Sequence, residues 1–130
     1  MEISVSKEDA RVPVTVFQLK GELSSEEPLT SQAQDSFDNG MRYLLLDLSK
    51  VPYISSAGLR AIHQVYNLLR GPVSEEDEKE MRQGIISGSY TSPHLKLLKP
   101  SKNAMRALSV SGYDMFLQIH KKRANAIASF

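Results

Sequence analysis

DLSKVPYISSAGLRAI, Asp47 to Ile62, is the stretch that decides how this chain folds. It is entered from an apolar run, Tyr43, Leu44, Leu45 and Leu46, short enough for a strand and too uniformly apolar to leave one face in water. Such a run reads as a central strand covered on both sides. Its far end opens a different period. From Leu59 onward, Ile62, Val65, Tyr66 and Leu69 recur at spacings of three and four, which lays one apolar stripe along a helix ending near Arg70 and Gly71. Strand, tight turn, helix is the resulting unit, and Ser55 and Ser56 stand at its junction with only the small Ala57 and Gly58 before the helix proper.

Upstream, VPVTVFQLKGEL alternates Val12, Val14 and Val16 with other residues and is rich in β-branched side chains, which predicts a strand over about Val14 to Leu19 ending at Gly21. EISVS is its hairpin partner, joined through a polar KEDAR turn. SSEEPLTSQAQDSFDNG carries a helix start at its serines, acids and Pro28 and a stop at Asn39 and Gly40.

Downstream, residues 71–94 hold an acidic cluster, three glycines and two prolines without a sustained period. They read as a long, exposed connection, and connections of that length tend to be functional or mobile. LKLLK is a short strand, and Pro100 and Ser101 open a helix through Met105 and Leu108 that stops at Gly112. YDMFLQIH resumes β-like alternation at Met115, Leu117 and Ile119, and Lys121 to Phe130 is a short amphipathic helix. Strands separated by helices imply parallel crossovers. The expected class is therefore α/β, a single domain over 1–130, with a mixed sheet of about five strands and about four helices.

A formal net charge of +1 provides no concentrated basic field of the kind that nucleic acid or an anionic membrane calls for, so neither is an expected partner. The chain has no cysteine, which excludes disulfides, thiolate metal sites and cysteine nucleophiles together. No apolar run reaches the roughly 18 residues of a membrane span, and the first ten residues do not form a signal peptide. A cytoplasmic location is expected.

The serine pair has two physical readings. The first amides of a helix lack intrahelical acceptors and carry the positive end of the aligned peptide dipoles. Ser55 or Ser56 can satisfy one of them as an N-cap worth about 1 kcal/mol. The same position also tolerates a dianion, so a hydroxyl here is a candidate phosphoacceptor whose product changes surface charge without asking the core to repack.

The segment LLLDLSKVPYISSAGLRAI resembles the signature of the STAS domain of bacterial anti-sigma factor antagonists: a buried strand ending in Asp-Leu-Ser, an aromatic-apolar pair, and a serine ahead of a Gly-Leu helix start. LKGELS is similar to the family's Leu-x-Gly-Glu-Leu-Asp turn, and PSKNAMRALSVSGYDMFLQI resembles its closing helix and strand. The resemblance implies a STAS-like fold and a non-enzymatic partner switch. In such a switch the unmodified protein binds an anti-sigma factor serine kinase and frees a sigma factor, phosphorylation releases the kinase, and a serine phosphatase restores binding. Carried over residue by residue, Tyr53 and Ile54 take the aromatic-apolar place, Ser56 is the phosphoacceptor with Ser55 the second choice, and Gly58 and Leu59 begin the helix. The implied partner surface is Glu22, Ser24, Tyr53, Ser55, Ser56, Ala57, Gly58, Leu59 and Arg60. Two departures stand out, for Ser55 and Ser24 each occupy a place where the family usually has aspartate.

Rival chemistries are thin. His63, His94 and His120 are dispersed without a His-x-x-x-His spacing, and a lone histidine on a helix face is structural far more often than ligating. YISSAG lacks the first glycine of a nucleophile elbow, and EEDEKE lacks the spacing and glycine of a calcium loop. No glycine-rich phosphate loop is present, and neither a cofactor nor a metal is expected. Two other classes remain as alternatives to the switch: a sensor binding an anion or nucleotide at the Ser55 to Gly58 turn, and a constitutive scaffold in a signalling complex.

Overall fold

The leucine run sits where its composition places it. In a computed structural model describing residues 1–130, β3 (Leu44–Lys50) is the middle strand of a five-stranded sheet ordered β1-β2-β3-β4-β5. β1 (Glu2–Asp9) and β2 (Pro13–Lys20) form an antiparallel hairpin, whereas β2, β3, β4 (Leu95–Leu98) and β5 (Gln118–His120) run parallel. The sheet is mixed, as expected, and the fold is α/β.

The helices are α1 (Leu29–Asp38), α2 (Ser56–Arg70), α3 (Glu75–Ser87), α4 (Lys102–Val110) and α5 (Arg123–Ala128), with one 3-10 turn at Tyr113–Met115. Each crossover from β2 onward steps the same way across the sheet, so right-handed connections put α1, α2 and α4 on one face. There Leu29 and Ala33, Ala61, Ile62, Val65, Tyr66 and Leu69, and Ala104 and Leu108 pack on Phe17, Leu19, Leu44, Leu46, Leu48, Leu95 and Leu97. The period of two sends alternate side chains the other way. Val14, Val16, Leu45 and Leu98 meet Ala126 and Phe130 there, beneath α5. No helix is long and apolar enough to cross a membrane.

Three local expectations need correction. Residues 71–94, expected as a long, exposed connection, are largely exposed but hold a helix, α3, at their centre. Its helicity comes from its ends rather than an apolar stripe: Ser74 caps the Asp77 amide at 3.1 Å, four acids fill the first turn, and Gly88 closes the helix in the left-handed conformation. Arg82 pairs with Glu78 one turn back, and no α3 residue is fully buried. The KEDAR turn is shorter than read, since Lys7, Glu8 and Asp9 pair with Thr15, Val14 and Pro13. An edge strand accommodates charge readily. Finally, the alternation at Met115 breaks down because Tyr113–Met115 is a 3-10 turn, and β5 begins only at Gln118.

The face under α5 carries an unusual cation. Lys96 is almost wholly buried, and its Nζ donates to the Ser129 carbonyl at 2.8 Å and contacts Ser129 Oγ at 2.9 Å while standing 4.7 Å from the Phe130 ring centroid. Burial holds its pKa below the ordinary lysine value. His120 lies beside it, with Nε2 3.1 Å from Gln118 Oε1, and burial followed by the Lys96 charge lowers its pKa too. As pH falls, the unfolded chain therefore protonates this imidazole before the folded one does. His120 thus contributes stability that is complete above the ordinary histidine range and is lost as pH drops through it. Urea midpoints should show His120→Asn losing less stability than the wild-type chain between about pH 7 and 5.

Candidate functional site

Four parallel strands point the same way, so the loops after β2, β3 and β4 collect at one end of the sheet, the end where α/β folds present their sites. These loops are stitched to each other by main-chain bonds. Gly21 N donates to Lys50 O at 3.1 Å, Leu23 N to Tyr53 O at 3.0 Å, and Ser55 N to Leu23 O at 2.9 Å, making Leu23 and Ile54 an isolated parallel bridge. Leu23 and Ile54 bury their side chains in the main core. From the third loop, Ser101 Oγ reaches Pro52 O at 3.5 Å.

The signature residues divide into those that build this platform and those that it displays. Asp47 is buried in the middle of β3, where its carboxylate accepts from the Ser49 amide at 3.0 Å and from Gln18 Nε2 at 3.4 Å. Ser55 is the N-cap of α2, in extended backbone, with its Oγ accepting from the Gly58 amide at 3.2 Å. Gly58 is dictated by a close approach: a Cβ there would lie 2.1 Å from Leu23 O and 2.9 Å from Leu23 C. Ala57 and Leu59 are half-buried beside it, Leu59 against the main core.

Displayed on the platform are Glu22, Ser24, Tyr53, Ser56 and Arg60. Tyr53 is half exposed, at 50%. Ser56 is the first residue of α2, and the amides of Ser56 and Ala57 precede any possible intrahelical acceptor. α2 has no acidic residue in its first turn. All nine residues expected from the sequence therefore lie on the β2–α1 and β3–α2 loops or the first turns of α2, which the backbone seam joins.

Three neighbours were not anticipated. Glu26, on the β2–α1 loop, lies 3.5 Å from Arg60 Nε and accepts from Gln64 Nε2 at 3.1 Å. Glu27 accepts from the Ser31 and Thr30 hydroxyls, which hold its carboxyl below the usual range. Nothing in the local sequence pairs Glu26 with α2, because the partners are 34 and 38 positions away. A groove of about 750 Å³ lies at the opposite end of the strands, between the β1–β2 hairpin and the end of α1, and includes no platform residue. The platform is an exposed surface, suited to a macromolecular partner.

A family model for the STAS domain matches residues 6–71, just over half the chain, and the chain belongs to that family. Solved structures share the fold. An anti-sigma factor antagonist from Mycobacterium paratuberculosis superposes with a TM-score of 0.67 at 18% identity, covering 98% of this chain and 93% of that one. The Bacillus cell fate determinant SpoIIAA in its phosphorylated form gives 0.59 at 16% identity, covering 95% and 96%. Comparison with curated protein sequences gives no match.

The platform makes a graded stability prediction. Gly58→Ala forces a methyl group into a backbone carbonyl and should cost about 3 kcal/mol. Ser55→Ala loses the cap at about 1 kcal/mol, whereas Ser56→Ala should change stability by less than about 0.5 kcal/mol. Chemical denaturation of the three variants checks the ranking.

Proposed function

We propose that this chain is an anti-sigma factor antagonist, a cytoplasmic, non-enzymatic partner switch that docks an anti-sigma factor serine kinase through the platform and so frees a sigma factor. The observation that carries the reading is the division of labour in the serine pair. Ser55 is committed to capping α2, which leaves the Ser56 hydroxyl exposed and structurally dispensable. Support also comes from the shared fold of structures named as anti-sigma factor antagonists, one of them in a phosphorylated form.

In the switch the Ser56 hydroxyl oxygen attacks the γ-phosphorus of ATP, the bond to the β-γ bridging oxygen breaks, ADP leaves, and the hydroxyl proton passes to solvent or a base of the kinase. Hydrolysis of the ester by a serine phosphatase returns the hydroxyl. The phosphate adds about −1.5 to −2 charges at neutral pH. On a surface where Tyr53 supplies exposed apolar area and Arg60 a cation, it imposes desolvation cost on apolar contact and repulsion on any acidic contact of the kinase.

Incubation with the cognate kinase and ATP should place one phosphate on Ser56, located by mass spectrometry, with Ser56→Ala unmodified. Ser56→Ala should bind the kinase as wild type does, and Ser56→Asp at least about tenfold more weakly, as expected for a charge placed inside an interface. Phosphate absent from both serines sinks the switch. Equal binding by wild type, Ser56→Ala and Ser56→Asp would instead mark a constitutive scaffold, and a melting shift with free anion or nucleotide would mark a sensor.

A further inference from the structure

Ser56, Arg60 and Gln64 are spaced four apart on α2 and all three are exposed, so they form a single stripe along the helix surface. Glu26 of the neighbouring loop hangs on the far part of this stripe. Its Oε1 meets Arg60 Nε at 3.5 Å and accepts from Gln64 Nε2 at 3.1 Å. The Arg60 and Glu26 side chains are 63% and 43% exposed, and an ion pair in that setting is weak and readily exchanged.

We propose that Arg60 is the residue that responds to phosphorylation: with a phosphate on Ser56, its guanidinium leaves Glu26 and pairs with the phosphate one turn back. The proposal rests on Ser56 being the modified residue. Side chains four apart on a helix are neighbours, with Cβ atoms about 5–6 Å apart, within reach of an arginine. The phosphate offers Arg60 more charge than a carboxylate does and a geometry that the forked guanidinium matches with two parallel bonds. Glu26 keeps its bond to Gln64, so the loop stays in place while its carboxylate loses its counter-charge.

The consequence is a change in charge pattern over two loops rather than one. Unmodified, Arg60 and Glu26 neutralise each other. Modified, the phosphate is partly neutralised by Arg60, and Glu26 presents a bare carboxylate on the adjoining β2–α1 loop. A partner that meets both loops therefore encounters new negative charge on each, although only one residue has been altered. The Tyr113 phenol also lies in the field of Arg60, which tends to lower its pKa against the larger effect of burial. It is the other group that the movement would affect.

The test uses the full chain with phosphoserine installed at position 56 during synthesis, so that no kinase is needed and failure of the kinase reaction leaves the outcome readable. In ³¹P NMR titrations the second pKa of the phosphate should lie about 0.3 pH unit or more lower in the wild-type background than in Arg60→Gln. Arg60→Lys, which keeps the charge but not the fork, should recover part of that difference. The Arg60 Nε–H resonance should shift between unmodified and phosphorylated protein, and Glu26→Gln should shift it only in the unmodified protein. Identical titration of wild type and Arg60→Gln, or an Arg60 resonance that still responds to Glu26→Gln after phosphorylation, overturns the proposal.

Discussion

The seam between Leu23 and the Tyr53–Ser55 segment governs the geometry of the platform at the carboxyl end of the parallel strands. Two main-chain bonds run across it, from Leu23 N to Tyr53 O and from Ser55 N to Leu23 O, and both flanking apolar side chains are buried. It brings the start of α2 so close to the β2–α1 loop that there is no room for a Cβ at position 58. Because those bonds fix the backbone before Ser56 and the Ser55 cap fixes the turn after it, the serine is held at a defined point on a rigid edge. A modification there cannot easily move the chain. Its effects must be transmitted by charge and by the side chains that answer to charge.

The residues that hold the platform in place are distinct from those it displays. The helices over one face and α5 over the other bury the sheet, and Leu23 and Ile54 of the seam join the first of these cores. Asp47 belongs to the signature yet points inward, tying β3 to its own continuation and to Gln18 on β2. Lys96 and His120 sit on the α5 face, among Ser129, Gln118 and Phe130. The exposed residues of the platform contribute little to folding and are free to be specialised for contact, the usual arrangement for loops carried on a rigid scaffold.

How much of this could be read from the sequence follows from which forces act locally. The four leucines around β3 and the three-four stripe of α2 are dominated by burial, and burial leaves a period in the chain. α3 owes little to burial. Its cues were the Ser74 cap, the acidic first turn and Gly88, local signals that an apolar-period reading passes over. Met115 lent its hydrophobicity to an apparent strand although it is 48% exposed in a 3-10 turn. The nine platform residues were legible through a motif and its spacing. Glu26 was not, because its bonds to Arg60 and Gln64 arise only when the seam draws two loops together.

The two departures from the family's usual aspartates gain a physical meaning on this platform. A capping position accepts serine and aspartate about equally well, so Ser55 preserves the helix start while removing a charge. Ser24, exposed on the facing loop, likewise puts a neutral side chain where an aspartate would bring charge. With no acid in the first turn of α2, the dipole at that end and the nearby Arg60 are left without a fixed counter-anion closer than Glu26. A carboxylate at position 55 would compete for those same cationic groups and repel an incoming phosphate. Two neutral serines instead leave the turn electrostatically unfilled, so a dianion on Ser56 would make the largest difference there, and the arginine one turn away would be the first side chain to feel it.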